Sequence, residues 1–312
     1  MSRTVSKLVR IITSSSDASS SRSKLHTPIF ALVIGINRYP GFPSESQLKG
    51  AVPDADAVIR YLKDTFTKPN ITYLRDTAAT REGIIDAFQS LRDNTNIQRD
   101  DAIFIYYAGH GARIQKPPEW DRWVSHKSQI ELLCPSDMRH SQEESSICGI
   151  PDRTVAVLLN KLSTKHGDNI VSCAIMSNSN CYISIQTFIL DCCHYGGTNR
   201  QLNDMTARVI VNPPPMPATC DDTIWSNTAP ARSASASINF LGQNSESHVL
   251  LAGCRRDELS WETADGHGLF TRALLEVLTG ISPNSLDYAT LVHKLEDLSK
   301  SASDSIFLSI AN

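Results

Sequence analysis

A chain of 312 residues with 30 Lys and Arg against 33 Asp and Glu has a formal net charge of −3, so nothing electrostatic calls for nucleic acid or an anionic membrane as partner. Its 41% apolar content supports a substantial core, and no run of about 18 apolar residues exists to span a bilayer. The 8 cysteines lack paired CxxC spacing, which argues against a zinc site and for a reducing compartment, cytoplasm or nucleus.

Residues 1–26 are rich in serine and carry Arg3, Lys7 and Arg10 before the first acid, Asp17. They lack the apolar core and cleavage site of a secretory signal. They read as a disordered tail, with a mitochondrial presequence as the alternative. Pro28 to Asn37 is apolar nearly throughout, as expected of a central parallel strand covered on both faces. Arg38-Tyr39-Pro40-Gly41 breaks it. Pro53 suits the first turn of a helix whose inner face is Ala55, Ile59, Leu62 and Phe66. Ile71 to Leu74 is a short strand, and Thr80 caps a helix with Ile84, Ile85, Phe88 and Leu91 inward. Ala102 to Tyr107 is a third strand running straight into Ala108-Gly109-His110-Gly111.

A loop rich in Lys, Pro and Trp spans Lys116 to Gln129, before a fourth strand, Ile130 to Cys134. Pro151 and Asp152 open a helix with Val155, Leu158, Leu159 and Leu162 inward, closed by Gly167. Phe188-Ile189-Leu190 ends a further strand and leads at once to Asp191-Cys192-Cys193-His194-Tyr195-Gly196-Gly197. From Thr198 to Ser247 the composition shifts to Pro, Ser, Ala and Asn, the signature of a linker with little capacity to bury surface. His248 to Ala252 is another strand. Gly268-Leu269-Phe270 opens a helix with Ala273, Leu274, Val277 and Leu278 inward, a final helix carries Tyr288, Leu291, Leu295 and Leu298, and the tail after Ser299 is polar. Strands alternating with helices predict a parallel, helix-covered sheet.

Two of these strands end in reactive side chains. Ligand sites gather at the carboxyl ends of parallel strands, and a thiol there needs a base from elsewhere in the fold. His110, with glycine on both sides, lies where the backbone can turn tightly and approach a substrate.

Tyr106-Tyr107-Ala108-Gly109-His110-Gly111 followed by Asp191-Cys192-Cys193-His194 resembles the catalytic pair of the metacaspases, within the wider caspase-like peptidase clan, over roughly residues 28–295. The resemblance implies an α/β, caspase-like three-layer fold, a mostly parallel six-stranded sheet with helices on both faces. It implies a large, p20-like region over 27–200, a linker over 201–247 and a small, p10-like region over 248–312. Val171 to Gln186 looks inserted relative to the family, either as an extra surface loop or as a retained intron.

By the same resemblance Cys193 is the nucleophile, His110 assists its attack and protonates the leaving amine, and the backbone amides of Gly111 and Cys193 form the oxyanion hole. A neutral thiol is little ionised at neutral pH, so the imidazole matters. Taken singly, a buried inert thiol and a core histidine are the simpler readings; the two motifs in family order favour catalysis. Cys192 is assigned to packing, and His194 is not the base. Motif matching places Asp54 and Asp191 at the floor of a pocket, with the small residues Ala51 and Ala108 beside them. Two carboxylates there bind a cationic side chain, so the implied cleavage follows Arg or Lys. The simpler roles are stabilisation of a helix N-terminus by Asp54 and a turn at Asp191.

The sequence departs from the family at Tyr195, where Ser is usual, and at Ile130, where a calcium-ligating Asp is frequent. Glu131, Asp121 and Asp137 are the acids left nearby. No cofactor or metal is therefore expected to be required, with Ca2+ activation as the open alternative. The expected substrates are proteins or peptides with Arg or Lys at the cleavage site, in regulated proteolysis or programmed cell death. Arg200, Arg208 and Arg232, in or next to the linker, are candidate self-processing sites. The rival reading is a catalytically inactive homologue serving as scaffold or oligomerisation module. A legumain-type asparaginyl peptidase shares the Cys/His order but is a secretory enzyme.

Overall fold

The computed structural model describes residues 24–26, 28–99, 101–120, 129–140, 146–167, 186–193, 201–202, 205–226, 248–254, 259–280, 291, 293–295, 297–298 and 309–311. The candidate insertion (apart from Gln186), His194 to Gly197, Arg200, Arg232 and the residue 1–23 part of the tail lie outside them.

Strand β1 (Ile29–Gly35) is buried at all seven positions, as an unbroken Ile-Phe-Ala-Leu-Val-Ile run requires in a strand with both faces covered. It pairs in parallel with β2 (Asn70–Arg75) on one side and β3 (Ala102–Ala108) on the other. Outward from β3 follow β7 (Gln186–Asp191) and β10 (His248–Ala252), both parallel, and then β12 (Ser309–Ala311), which is antiparallel. The six-stranded order is β12-β10-β7-β3-β1-β2. Among the described residues, four long helices form two packed pairs against the sheet. Helix α1 (Ala51–Thr65) packs with α5 (Leu269–Gly280), and α2 (Arg81–Asp93) packs with α3 (Asp152–His166). Thr80 caps α2 by accepting the Gly83 amide at 3.0 Å, and Gly167, at φ 103°, ends α3 in a conformation favouring glycine.

Two assignments change. Ile130 to Cys134 does not join the main sheet. Strand β5 (Gln129–Leu133) instead forms a separate antiparallel sheet with β4 (Gly111–Gln115) and β6 (Ile150–Pro151). Its apolar residues are buried because this small sheet packs into the same core, and a short apolar run does not declare which sheet it joins. The sixth strand of the main sheet is β12, in the polar tail, where pairing with β10 supplies what the composition does not.

Residues 205–226 also bury more than a linker composition predicts. Strand β9 (Met205–Ala207) pairs with β8 (Gln201–Leu202) and with β11 (Trp261–Glu262). Downstream, the short helix α4 (Asp222–Trp225) is anchored by Arg81 and Thr154, which reach Asp221 Oδ2 at 2.7 and 2.6 Å. The Trp225 indole N–H donates to Thr154 Oγ1 at 3.1 Å and its ring meets Trp120 edge-on. Prolines in this stretch leave backbone donors fewer to satisfy, while Ile210, Met216, Cys220 and Trp225 enter the main core.

Candidate active site

In the parallel register Ala108, the last residue of β3, faces Asp191, the last residue of β7. His110 and Cys193 each lie two residues beyond that pair, so adjacent strands deliver them to the same end of the sheet. Both are buried. His110 Nε2 lies 2.6 Å from the Ser46 carbonyl oxygen. A carbonyl only accepts, so Nε2 carries the proton and Nδ1 is the basic nitrogen of the neutral ring. The backbone around it is held by phenols. The His110 amide donates to Tyr39 Oη at 2.7 Å, Tyr107 Oη donates to the His110 carbonyl at 2.7 Å, and the Tyr39 ring lies against the imidazole. Gly109 is required here, since a Cβ would stand 2.7 Å from Tyr39 Oη and 2.9 Å from Tyr107 Oη.

Cys193 Sγ points toward the Ser260 carbonyl at 3.9 Å. Burial pushes its thiol up to about 12, against the favourable pull of its own hydrogen bond and of Arg208. Cys192 is packed in the main core, as its assigned role requires.

Asp54 and Asp191 meet on one guanidinium. Arg208 Nη2 is 2.6 Å from Asp54 Oδ2 and Nη1 is 2.8 Å from Asp191 Oδ2, with all three side chains out of solvent. A third acid, Glu262, stands 3.5 Å from Nε. Each carboxylate is fixed by further donors. Asp191 accepts from the Ser260 hydroxyl at 2.7 Å and the Thr271 hydroxyl at 2.5 Å; Asp54 accepts the Gly268 amide at 2.8 Å; Glu262 accepts the Lys49 and Gly50 amides at 2.8 and 3.0 Å. Burial works against the Arg208 charge, but Asp191, Asp54 and Glu262 outweigh it and raise its pKa further. For Asp54 burial dominates and raises the carboxyl, although Arg208 pulls it back down. Gly268 forms the wall: a Cβ there would come within 2.5 Å of Asp191 Oδ2 and 2.7 Å of Arg208 Nη1. Ala51 opens α1 three residues before Asp54, and Ala108 is the register partner of Asp191; both are fully buried beside the acids.

The backbone of the same arginine is held as firmly as its side chain. The Arg208 amide donates to the Ser260 carbonyl at 3.0 Å. Its carbonyl oxygen accepts from the Gly111 amide at 3.1 Å and the Cys193 amide at 3.3 Å. The two amides named for an oxyanion hole thus converge on one oxygen, where they polarise the carbonyl. Before Arg208, Thr206 and Ala207 pair antiparallel with Glu262 and Trp261. After it, the Val209 amide turns back to the Ala207 carbonyl at 2.9 Å, and the Ile210 amide reaches the Gly111 carbonyl at 2.9 Å. Residues 205–210 therefore cross the crevice as an added strand on one side and a turn onto β4 on the other.

Glu262, Ser260, Thr271 and the Ser46 carbonyl carry no local signal in the sequence and come from four separate elements or loops. Arg208 was legible as one of three candidate self-processing sites in or next to the linker, not as the partner of Asp54 and Asp191. Of the acids near β5, Glu131 pairs with Arg113 at 3.2 Å and Asp137 accepts the Arg81 amide at 2.8 Å. Asp121 lies outside the described residues, among which no cluster of three or more His, Cys, Asp or Glu side chains is gathered as for a metal ion. No helix among the described residues is long and apolar enough to cross a membrane.

Comparison with known proteins agrees with this architecture. A solved structure, protein GSU0716 from Geobacter sulfurreducens, superposes with a TM-score of 0.57 over 91% of this chain and 92% of its own, at 18% identity, a likeness of fold. Metacaspase III c from Phaeodactylum tricornutum is 34% identical over 113 residues, a match spanning 34% of this chain and 32% of that relative. Residues 29–303 match the family described as caspase domain. The chain belongs to the caspase-domain family of cysteine peptidases.

Proposed function

We propose that this chain is a cysteine endopeptidase cleaving after Arg or Lys, and that its first substrate is its own Arg208–Val209 bond. One observation carries the reading: Arg208 has its side chain on Asp54 and Asp191 while its carbonyl oxygen accepts from Gly111 and Cys193. A basic residue held in that way has its carbonyl activated and its neighbouring bond presented to the thiol.

The chemistry follows from the groups present. Cys193 is neutral in the uncut chain, so its proton passes to His110 Nδ1 as sulfur attacks the Arg208 carbonyl carbon. Charge that develops on the oxygen is met by the Gly111 and Cys193 amides, each such donor being worth about 10²–10³ in kcat. The proton then goes to the Val209 nitrogen, the carbon–nitrogen bond breaks, and the acyl group stays on sulfur. Water, deprotonated by the same imidazole, hydrolyses the thioester and returns the thiol and an Arg208 carboxylate. Until this happens the chain occupies its own crevice. That supports a latent enzyme switched on by cleavage, fitting for regulated proteolysis or cell death. The six cysteines among the described residues are free thiols, which supports a reducing compartment such as cytoplasm or nucleus.

The complete burial of Arg208 favours one second reading, a permanent ionic plug in a homologue that does not cleave. Fluorogenic peptides ending in Arg, Lys, Asp or Asn, assayed with and without calcium ions, separate the readings. The proposal expects turnover of Arg and Lys peptides only, abolished by Cys193→Ala. No turnover in any arm supports the plug, and turnover of Asn peptides contradicts the proposed pocket. The calcium arms decide the metal requirement.

A further inference from the structure

The residue before Arg208 is enclosed as completely as the arginine. Ala207 and Val209 are each 1% exposed. Both belong to a small apolar cluster with Cys193 and Cys254, separate from the main core, with Leu259 and Trp261 packed against it. Pairing with β11 fixes the Ala207 backbone opposite Trp261, so its methyl cannot be moved outward by sliding the strand without breaking that register. Thr206 and Met205, one and two positions further back, are only half-buried. On the amino-terminal side of Arg208, complete enclosure therefore stops at position 207.

Resting on the reading of residues 205–210 as a bound substrate, we propose that this site selects a small apolar residue immediately before the basic one. The substrates are extended segments of Ala-Arg or Ala-Lys type, with position 207's neighbours Cys254, Leu259 and Trp261 as the selecting surface. A methyl fills the space. Extra methylenes in a packed site force strain, and a charged side chain there loses water among described neighbours that are apolar. The half-buried positions 205 and 206 impose a weaker choice.

The test uses self-cleaved full-length enzyme and acetyl-Met-Thr-X-Arg peptides carrying an aminomethylcoumarin, with X as Ala, Leu, Phe, Asp or Lys. We expect kcat/KM for Ala to exceed that for the others by about 10–200-fold, the range a filled pocket gives. Trp261→Ala narrows the gap for Leu and Phe while leaving Asp and Lys poor. Equal rates across X, or faster cleavage of Leu or Phe by the unmodified enzyme, overturn the inference and leave cleavage after Arg standing. Failure to cleave any Arg peptide overturns the substrate reading and this inference with it.

Discussion

Arg208 Nη2 stands 2.6 Å from Asp54 Oδ2, both side chains sequestered from water, although 154 positions separate them. With Asp191 and Glu262 on its other nitrogens, one cation faces three carboxylates in a dry site. Such an arrangement is poor design for stability alone, because the desolvation of buried charges is large and three carboxylates share one guanidinium, with the His267 ring 3.2 Å from Asp54 Oδ1 as a further ionisable neighbour. The arrangement suits the proposed substrate pocket, in which the chain's own arginine stands where a substrate's cation would bind.

Removing the cation strands the acids. Arg208→Ala is expected to lose about 3–5 kcal/mol of stability, the usual result of breaking a buried pair from one side, and to abolish self-cleavage. Arg208→Lys restores a charge and retains cleavage. Chemical denaturation and a time course on gels measure the two effects; a stable Arg208→Ala protein still cut at the same bond contradicts the assignment.

Removing one acid from the enzyme side has the complementary effect. Asp54→Asn and Asp191→Asn are each expected to cost about 2–5 kcal/mol of transition-state binding for Arg peptides, a fall in kcat/KM of about 30-fold to several thousandfold. Steady-state kinetics on self-cleaved enzyme checks this, with circular dichroism to verify folding. An undiminished rate in either variant removes that residue from the pocket.

Glu262 faces Nε, an atom that lysine lacks. Glu262→Gln is therefore expected to erode an Arg-over-Lys preference, lowering Arg turnover several-fold and Lys turnover less. Parallel assays of the two peptides give the ratio. An unchanged ratio shows that Asp54 and Asp191 alone set the choice.

The Cys193 thiol, raised to about 12 by burial, is protonated throughout the neutral range in the uncut chain. Its folded pKa lies above the ordinary thiol value, so the thiolate fraction climbs about tenfold per pH unit from pH 7 to 10 without a plateau. Iodoacetamide labelling of His110→Ala protein, which keeps Cys193 but lacks the base for self-cleavage, read at Cys193 by peptide mass, follows that slope. Cleaved enzyme, with the crevice open to water, reacts faster at pH 7. A plateau near pH 8 in the uncut chain means that the thiol is not enclosed as described.

Much of the fold was legible because its strands are short apolar runs that end in distinctive residues. Ile29 to Gly35 and Ala102 to Ala108 declare themselves by composition, and Thr80 and Gly167 mark helix ends by conformational preference. The parallel register then brings the ends of β3 and β7 together, so His110 and Cys193, singled out by the resemblance of their two motifs to the family, lie beyond neighbouring strand ends. What composition could not convey was partnership. Leu132 and Leu133 are as apolar as a main-sheet strand yet belong to a hairpin, and Ser309 to Ala311 reads as polar tail yet forms the sheet edge. Nothing in the sequence set Arg208 apart from Arg200 and Arg232, the other candidate self-processing sites. Only the convergence of acids from α1, β7 and β11 makes it the most enclosed cation among the described residues.

The most direct measurement is the intact mass and new N-terminus of purified protein carrying Cys193 or Cys193→Ala. A chain that cuts itself yields a break between Arg208 and Val209, with a fragment beginning at Val209, in the Cys193 protein and none in the variant. Both proteins remaining whole under conditions where Arg peptides are cleaved, or both being cut alike, contradicts it.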